Sequence, residues 1–436
     1  MTYADRKDIV VVGLGSIGSM ALWQLAKRGA DVLGIEQFGR VHTYGAYAGE
    51  SRLFRVAAKE GEVFIPALLR SRELWLELGA AYGQDPLLPV GALSVGPRGH
   101  PALETTLSAV RRYDLPHEVL DAAGLRARYP QFYVEDDDIG VLDTLGGATR
   151  SELAVVAATE LALGHGASVR YDTTVTAIEP RPEGVRVVTP DGEVLAGRVV
   201  LTAGPWTTRL LPDLADIVRV STHSLLWFIP RHISLFTPDR FPGFMRDLHD
   251  VHAFGVPSLD GYSVKAVPGL GLPVADDWDD RVTALPRERL KWAGEQIQRM
   301  FPDLIPEPSR WSVHGESTVV SSTGASKMPV IDTVADGSVV VATGLSGNGF
   351  KFAPVWGEML ADLATKGEGK FTNAAFTIDG HRATGGRKTP ALTRVLTAFR
   401  PCRLVSSVVF GMRRIHLEDL VVLHMAYGPG PGGLAR

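Results

Sequence analysis

A glycine-rich turn near the amino terminus constrains the fold of this chain more than any other feature. Residues 13–18 read GLGSIG and follow the continuous apolar run at residues 9–12. Residues 19–28 then carry apolar side chains at helical spacing, and residues 32–36 are an apolar run that ends in Glu36. Short apolar runs of this kind are typical of parallel strands that are buried on both faces. The pattern predicts a strand, a helix and a second strand joined by a right-handed crossover.

The spacing of the glycines in this turn has a physical reason. Gly13 permits a tight turn, Gly15 lets the backbone approach a pyrophosphate, and Gly18 lets the helix and strand pack closely. The helix amino terminus offers free N–H groups and a positive dipole to phosphates. Glu36 is placed to accept hydrogen bonds from both ribose hydroxyls, and its charge would repel a 2′-phosphate. The motif therefore predicts a bound dinucleotide, FAD or NAD, and argues against NADP.

Later segments favour FAD over NAD. Residues 199–204 and 339–344 are apolar runs that end in glycine turns, and we expect both to return to the amino-terminal sheet. Between residues 174 and 200, turn signals at residues 182–184 and 190–192 separate β-rich runs and predict an antiparallel meander. Glycine turns so far apart along the chain would enclose one site, which suits a cofactor that stays bound.

Composition limits the partners and the location of the protein. The chain has 436 residues, of which 45% are hydrophobic and 22% charged, as expected of a globular protein with two domains. A net charge of -4 and scattered Lys and Arg provide no basic surface for nucleic acid. The single cysteine, Cys402, fits a reducing compartment. Without a signal-peptide pattern or an apolar run of about 18 residues, we expect a cytoplasmic protein with no transmembrane span. The histidines form no metal-binding spacing such as HExxH, so no metal is predicted.

Several motifs resemble those of the monomeric sarcosine oxidase and N-methyltryptophan oxidase family, within the D-amino-acid-oxidase-like flavoenzymes. The similar stretch runs from residue 9 to about residue 364. Its most specific parts are HT at residues 42–43, GESRLFR at 49–55, LRSRELW at 69–75, FPGFM at 241–245 and GLSGNGFKF at 344–352. The resemblance implies an α/β fold class, with a Rossmann-type FAD-binding domain (GR2-like) and a second α+β substrate domain built on a mixed antiparallel sheet.

We expect each of the two domains to be discontinuous in sequence. The FAD-binding domain would comprise residues 1–86, 150–216 and 313–388, and the substrate domain residues 87–149 and 217–312. Residues 389–436 form a carboxy-terminal extension of unknown role. Its apolar stretch is either a membrane-surface or partner helix or a packed terminal helix with a frayed end.

The resemblance also implies which residues contact FAD, and they come from distant parts of the chain. They are Gly13, Gly15, Ser16, Ile17, Gly18, Glu36, Gln37, His42, Thr43, Ser51, Arg52, Val175, Ala203, Gly204, Trp206, Gly344, Ser346, Gly347, Gly349, Phe350 and Lys351.

The resemblance assigns catalytic and substrate-binding functions to four cations. Arg55 and Lys351 match the residues that hold the substrate carboxylate and so orient the adjacent C–H toward flavin N5. Lys265 matches the oxygen-activating lysine, whose buried charge would stabilise superoxide. Arg52 matches an arginine close to the flavin. The residues alone leave other readings open: a surface ion pair for Arg55, a helix-flanking charge for Lys351, an exposed strand-edge lysine at Lys265 and a structural cation at Arg52.

Departures from the family pattern bear on the flavin linkage and on the substrate. Residues 317–322 read STVVSS and lack the cysteine that tethers the flavin in covalent members, so we expect noncovalent FAD. Ser321 stands in place of an active-site tyrosine, Gly269 in place of a histidine, and Phe254 in place of another tyrosine. With Phe254 and Ser321 in the substrate site, we expect a substrate amine that is larger than sarcosine or differs from it in shape.

The sequence therefore predicts an FAD-dependent oxidase of a secondary, N-methyl or cyclic amino acid, or of an amino-acid-like intermediate. Hydride would pass from the carbon next to nitrogen to flavin N5, an imine would form, and molecular oxygen would be reduced to hydrogen peroxide. No general base is obvious. Two alternatives are a dehydrogenase that uses a non-oxygen acceptor such as a quinone, and a flavin-binding protein without turnover. We expect a monomer or a homodimer.

Overall fold

The structure is a computed structural model, and it describes residues 6–58, 60–321, 324–325 and 328–385. The carboxy-terminal extension predicted at residues 389–436, including Cys402, lies outside the described residues. Within the described ranges, no helix combines the length and apolar character needed to cross a bilayer. The same ranges contain no group of three or more His, Cys, Asp or Glu side chains arranged to hold a metal ion.

The described chain alternates strands and helices along most of its length. The strands are β1 (Arg6–Val12), β2 (Val32–Ile35), β3 (Ser51–Phe54), β4 (Leu87–Leu88), β5 (Ala92–Pro97), β6 (His117–Leu120), β7 (Asp138–Asp143), β8 (Gly147–Arg150), β9 (Ser168–Arg170), β10 (Ala177–Arg181), β11 (Gly184–Thr189), β12 (Gly192–Leu201), β13 (Val218–Pro230), β14 (Gly243–Leu248), β15 (Val251–Val256), β16 (Val264–Pro268), β17 (Val274–Ala275), β18 (Leu304–Ser321), β19 (Gly324–Ala325), β20 (Val330–Val334) and β21 (Val339–Thr343). The helices are α1 (Ser16–Lys27), α2 (Ile65–Tyr82), α3 (Pro101–Arg112), α4 (Ala122–Arg128), α5 (Ser151–Gly164), α6 (Thr207–Leu210), α7 (Arg287–Met300), α8 (Ala353–Lys366) and α9 (Ile378–Gly385).

The first sheet contains the predicted amino-terminal unit. Its strand order is β10-β11-β12-β1-β2-β9, and β21 pairs with β12. β1 is parallel to both β2 and β12, and β12 is parallel to β21. The two distant apolar runs that were expected to return to this sheet therefore do so. β10, β11 and β12 are antiparallel neighbours, which confirms the predicted meander.

Helix α1 begins three residues earlier than the sequence pattern suggests. The apolar spacing places the start at Ser19, whereas the helix starts at Ser16. The difference arises because Gly18 lies in the first turn of the helix, where its missing side chain permits contact with the end of β1. On its other side, α1 packs against α8: a Cβ added to Gly357 would lie 2.5 Å from Cβ of Met20.

The second sheet has the order β19-β18-β13-β16-β15-β14-β5-β7-β6, and β17 pairs with β13. All of its pairs are antiparallel except β14 with β5, so it is the mixed antiparallel sheet that was expected. β13 and β18 pair along most of their length. A small sheet, β3-β8-β4, joins β3 to two strands, β4 and β8, that lie at predicted domain boundaries.

A cluster of aromatic rings fills the core of the second sheet. The rings of Phe132, Phe241, Phe244 and Phe301 lie with centroids 4.7 to 6.2 Å apart. Ring contacts in tilted and edge-on geometry add to the hydrophobic stabilisation of such a core. The cluster holds β14 against the segments on either side of it and so supports the adjacent strands β15 and β16, which carry Phe254 and Lys265.

Candidate active site

A cavity of about 390 Å³ is lined by residues from both large sheets. Its volume falls within the range of about 300–1,000 Å³ that is usual for ligand and cofactor sites. Many of the predicted cofactor residues line it: Gly13, Gly15, Ser16, Ile17, Glu36, Gln37, His42, Arg52, Val175, Ala203, Gly204, Trp206, Gly347, Gly349 and Phe350. The fold thus brings the distant glycine turns together at one place, as the sequence pattern requires.

The amino-terminal glycine turn is packed too tightly for side chains. A Cβ on Gly18 would lie 1.8 Å from the carbonyl oxygen of Gly13 and 2.5 Å from Oγ1 of Thr202. Gly13 has a φ of +88°, and a Cβ there would meet the Thr202 carbonyl oxygen at 2.7 Å. Thr202 Oγ1 donates a hydrogen bond of 2.7 Å to the Gly13 carbonyl oxygen. The ends of β1 and β12 and the start of α1 are therefore held in one arrangement.

The start of α1 is suited to a pyrophosphate. Gly15, Ser16 and Ile17 line the cavity, and the nearest atom to a Cβ on Gly15 would be 3.7 Å away, in Tyr47. The helix has no side-chain cap and no acidic residue in its first turn. Its free N–H groups and positive dipole favour an anion at this position. These residues fit the diphosphate of FAD.

Glu36 connects the glycine turn to the second strand. Its Oε2 accepts a hydrogen bond from the Leu14 N–H at 2.8 Å, and its Oε1 accepts one from the Phe38 N–H at 3.1 Å. Burial raises the pKa of the Glu36 carboxyl, and the backbone N–H groups of Leu14 and Phe38 oppose that rise. Because both oxygens are oriented by the backbone, Glu36 is fixed at the cavity wall, where a ribose could donate to its remaining lone pairs.

His42 offers an unsatisfied polar atom to a ligand at the same part of the cavity. Its Nε2 is buried and has no hydrogen-bond partner among the described residues, and it lies 3.6 Å from Oε1 of Glu36. Burial lowers the pKa of His42 to about 4, so the ring is neutral near pH 7. The ring of Phe38 packs against His42 and against Trp206. Aromatic walls with an open polar atom fit the adenosine end of a dinucleotide.

Arg52 shapes the loop beside the cavity. Its guanidinium donates to the carbonyl oxygens of Ala46, Ala48 and Ser51, each at 2.7 Å. Burial lowers the pKa of Arg52 to about 10, so it remains charged near pH 7. Arg52 also lines the cavity, so the same cation that orders residues 46–51 faces the cofactor space.

Lys265 is buried on β16 with 3% of its surface exposed, which excludes the reading as an exposed strand-edge lysine. Its Nζ donates to the carbonyl oxygens of Gly49 and Ser51 at 2.6 Å and to Oγ of Ser51 at 3.1 Å. Nζ also lies 5.0 Å from the ring centroid of Trp227. Burial, followed by the nearby charge of Arg52, lowers the pKa of Lys265. The lysine does not itself line the cavity but lies behind residues 49–52.

Arg55 and Lys351, the predicted carboxylate anchors, meet at one acidic side chain. Oε1 of Glu60 lies 2.8 Å from Nη2 of Arg55 and 3.3 Å from Nζ of Lys351. Both cations are buried, so the reading of Arg55 as a surface ion pair does not apply. Lys351 lies directly before α8, so its reading as a helix-flanking charge stays open. Neither cation lines the cavity, although Gly349 and Phe350 beside Lys351 do. The structure thus places two cations around a single carboxylate oxygen.

The remaining predicted site residues differ in how they relate to the cavity. The N–H of Gly344 donates to Oγ of Ser317 at 3.0 Å, and Oγ of Ser346 accepts from the Val319 N–H at 3.1 Å. These bonds fasten the second glycine loop to β18. Thr43 lines a second cavity of about 570 Å³. Phe254 lines the first cavity, while Ser321 ends β18 with its side chain outside the described residues.

Polar residues on β13 and β18 that were not predicted from the sequence also line the cavity. His223, Glu316 and Ser317 are in its wall, as is Tyr47 from the loop before β3. The available signal was the alternation of polar side chains at residues 221 and 223 and at 312, 314, 316 and 318, which marks one polar face on each strand.

Comparisons with known proteins establish the family. The model of a family described as FAD dependent oxidoreductase (DAO) matches residues 8–363. The monomeric sarcosine oxidase of Streptomyces avermitilis is 34% identical over 371 residues, which cover 83% of this chain and 94% of that protein. The N-methyl-L-tryptophan oxidase of Escherichia coli is 30% identical over 376 residues, which cover 86% of this chain and 99% of that protein. The chain therefore belongs to the family of FAD-dependent oxidoreductases that contains these oxidases.

Solved structures with a similar fold include an amino acid oxidase. NikD, titled an unusual amino acid oxidase essential for nikkomycin biosynthesis, superposes with a TM-score of 0.75 at 24% identity and covers 86% of this chain and 98% of its own. At this identity the similarity bears on the fold. The predicted family, the α/β fold class with its Rossmann-type FAD domain, and the class of FAD-dependent amine or amino-acid oxidoreductase are confirmed.

Replacing Gly18 by alanine tests the packing of the first glycine turn. In the Gly18→Ala variant, the new Cβ would displace the Gly13 carbonyl group, so the turn that faces the pyrophosphate must open. We expect the affinity for FAD to fall at least about tenfold, which corresponds to about 1.4 kcal/mol. The measurement is a fluorescence titration with FAD, together with the ratio of flavin to protein absorbance after purification.

Gly164→Ala is a matched control for this experiment. Gly164 ends α5, and no other atom lies within 4 Å of a Cβ placed there. We expect the control to bind FAD as the wild type does. If Gly18→Ala also kept wild-type affinity, the close packing of the turn would not be what shapes the FAD site.

Proposed function

We propose that this chain is an FAD-dependent oxidase of a secondary, N-methyl or cyclic amino acid, or of an amino-acid-like intermediate. The observation that carries the proposal is the convergence of Arg55 and Lys351 on one oxygen of Glu60. Two buried cations that share one carboxylate form a site in which a substrate carboxylate can take the place of the internal one. The site adjoins Gly349 and Phe350 in the cavity wall.

The names of the relatives support an amino acid as the substrate class. Sarcosine and N-methyl-L-tryptophan are the substrates that the two curated relatives are named for, and the solved neighbour is titled an amino acid oxidase. We propose the amino-acid class for this chain and neither of these two substrates. The reason is that Phe254 supplies an apolar surface where the family pattern has a tyrosine. The described wall near it also includes the apolar side chain of Leu225.

The bound FAD would supply the two-electron chemistry of the reaction. We propose that Gly13, Gly15 and the start of α1 hold its pyrophosphate and that Glu36 binds its ribose. Arg55 and Lys351 then bind the substrate carboxylate and limit the orientations of the adjacent C–H bond. Fixing a reacting group in this way removes orientational entropy from the barrier.

Lys265 is suited to stabilising negative charge that develops on oxygen. Its hydrogen-bond acceptors in the described chain are the neutral carbonyl and hydroxyl groups of Gly49 and Ser51. Because no carboxylate accepts these hydrogen bonds, no ion pair among them neutralises the ammonium group when it is protonated. We therefore propose molecular oxygen as the electron acceptor and hydrogen peroxide as the second product.

The domain boundaries, the cellular location and the oligomeric state are also proposals. The strands of the first sheet fall within residues 1–86, 150–216 and 313–388, which supports assigning these segments to the FAD domain. The second sheet draws mainly on residues 87–149 and 217–312. We propose a cytoplasmic location, which suits a chain with one cysteine, and a monomer or homodimer as the active form.

Anaerobic reduction by candidate substrates tests the proposed function directly. The holoenzyme is mixed without oxygen with a panel of N-methyl, cyclic and aromatic amino acids, and bleaching of the flavin absorbance is recorded. We expect at least one member of the panel to bleach the flavin and one equivalent of peroxide to form when air is admitted. Bleaching without peroxide would favour the dehydrogenase, and no bleaching across the panel would contradict an amino acid oxidase.

The Lys351→Met variant tests the carboxylate site. A hydrogen bond between charged groups contributes about 1.5–3 kcal/mol, so we expect KM for a carboxylate substrate to rise about tenfold or more. Steady-state kinetics with the best substrate of the panel measure the change. Lys291→Met is the control because Lys291 is 78% exposed on α7. An unchanged KM in Lys351→Met would refute the anchoring role.

The mode of flavin attachment has a simple test. Residues 317–322 contain no cysteine, and Cys402 lies beyond residue 363, where the family match ends. We therefore propose noncovalent FAD. After precipitation with acid, we expect all of the yellow colour in the supernatant, measured by absorbance. Flavin that stays with the washed pellet would show a covalent bond and overturn this part of the proposal.

A further inference from the structure

Glu316 is an acidic side chain in the wall of the flavin cavity for which the proposed reaction has no use. It lies on β18, where its cross-strand neighbour on β13 is Ser221, and the next polar pair along the two strands is His314 with His223. Its carboxyl group lines the cavity, and 15% of the side chain is exposed. An ionisable group in this wall would share the cavity with a bound flavin, and the charges of the two would affect each other.

The contacts of Glu316 are with neutral groups. Ser221 Oγ donates to its Oε1 at 3.1 Å and is itself 2.8 Å from Thr318 Oγ1. A Cβ on Gly347 would lie 3.3 Å from the same oxygen, so the second glycine loop packs directly on the carboxyl group. Oε2 lies 3.6 Å from Nδ1 of His223, an atom that is buried without a hydrogen-bond partner in the described chain.

Two cations, Arg52 and Lys265, act on Glu316 or on the histidines beside it, and in the described chain neither forms an ion pair with Glu316. Arg52, from β3, acts on Glu316 through its charge, but its guanidinium hydrogen bonds go to backbone carbonyl groups. Lys265, from β16, acts on His223 and His314. Burial, followed by the charge of Arg52, lowers the pKa values of both histidines, so both are neutral near pH 7.

The balance of these effects leaves Glu316 with comparable ionised and protonated forms near neutral pH. Burial raises the pKa of Glu316 to about 7, while the hydrogen bond from Ser221 and the charge of Arg52 oppose the rise. The carboxyl group is therefore close to half ionised near neutral pH. A group in that state responds to a small change in the surrounding charge by gaining or losing a proton.

We propose that Glu316 is a proton acceptor coupled to the flavin: it takes up one proton from solvent when the flavin receives two electrons, and it releases that proton when the electrons leave. Two electrons and one proton at the flavin add one negative charge to the cavity. One further proton on the Glu316 carboxylate cancels that charge. The electrons come from the amine substrate, or from any two-electron reductant, and the second proton comes from water.

Polar side chains lie between Glu316 and a second cavity, on the side of Glu316 that faces the histidines. The rings of His223 and His314 are stacked with centroids 5.4 Å apart. Nε2 of His314 lies 2.7 Å from Oγ of Ser312. His314 and Ser312 line the second cavity of about 570 Å³, which has room for water molecules. Polar groups thus extend from Glu316 toward a second space that is separate from the first cavity.

The experiment counts protons taken up on flavin reduction. The holoenzyme is photoreduced without oxygen in weakly buffered solution, and a pH indicator reports proton uptake per flavin in the wild type and in Glu316→Gln. If the added charge raises the pKa of Glu316 by about one unit, the wild type takes up about 0.5 proton more than the variant at about pH 7.5. The excess should vanish at about pH 5.5, where Glu316 is already protonated.

Two controls separate proton uptake from a purely structural role. Glutamine keeps the size of the side chain and can still accept the hydrogen bond from Ser221, so a structural role would leave the proton count unchanged. Glu295→Gln makes the same chemical change at a side chain that is 55% exposed on α7 and should behave as the wild type does. The absorbance of the reduced flavin, recorded in the same titration, distinguishes its anionic form from its neutral form.

Equal proton uptake by the wild type and Glu316→Gln at every pH would overturn the proposal. If Glu316→Gln does not retain FAD, infrared spectroscopy of the wild type provides the test of the proposal. Its reduced-minus-oxidised difference spectrum should then show a protonated-carboxyl C=O band that shifts in D₂O, and absence of the band would overturn the proposal. Because neither measurement uses a substrate, failure here leaves the proposed amino acid oxidase untouched.

Discussion

The contact of Gly18 with the Gly13 carbonyl group and the Thr202 hydroxyl group is the constraint on which the rest of the structure depends. It sets the distance between α1 and the ends of β1 and β12, and any side chain at Gly18 would increase that distance. The same contact places the uncapped start of α1 at the cavity wall. Glu36 then fixes the turn from the other side through the Leu14 N–H. The nucleotide end of the site is thus determined by backbone packing before any side chain recognises a ligand.

The proposed substrate end of the site depends on how charge is held in a buried environment. Lys265 is held by carbonyl and hydroxyl oxygens, and Arg55 and Lys351 are held by the carboxylate of Glu60. Each cation therefore has its position fixed by protein groups before a ligand arrives. Preorganised charges of this kind stabilise developing negative charge without the reorganisation that water would require. Glu316 differs from them because it has neutral contacts and a pKa near the working range of a cell.

The sequence predicts the topology well because its signals are local. The first strand, helix and strand, the meander and the two returning strands are all identified by apolar runs and glycine turns, and the parallel pairing of β1, β12 and β21 confirms them. These local signals do not predict which side chains contact each other. Glu60 meets Arg55 and Lys351 only through the folded path of the chain, and His223 meets Glu316 only through the register of two long strands. Alternation along one strand shows that a face is polar, but not which residues of another strand it faces.

The cavity is assembled from segments that are remote from one another in the chain, from Gly13 through Val175 and Trp206 to Glu316 and Phe350. A ligand that touches all of them acts as an internal crosslink. Its binding free energy adds to the free energy of unfolding, because an unfolded chain has no such site. A molecule that has released a noncovalent flavin therefore loses this contribution, and it should unfold at a lower temperature than one that retains the cofactor.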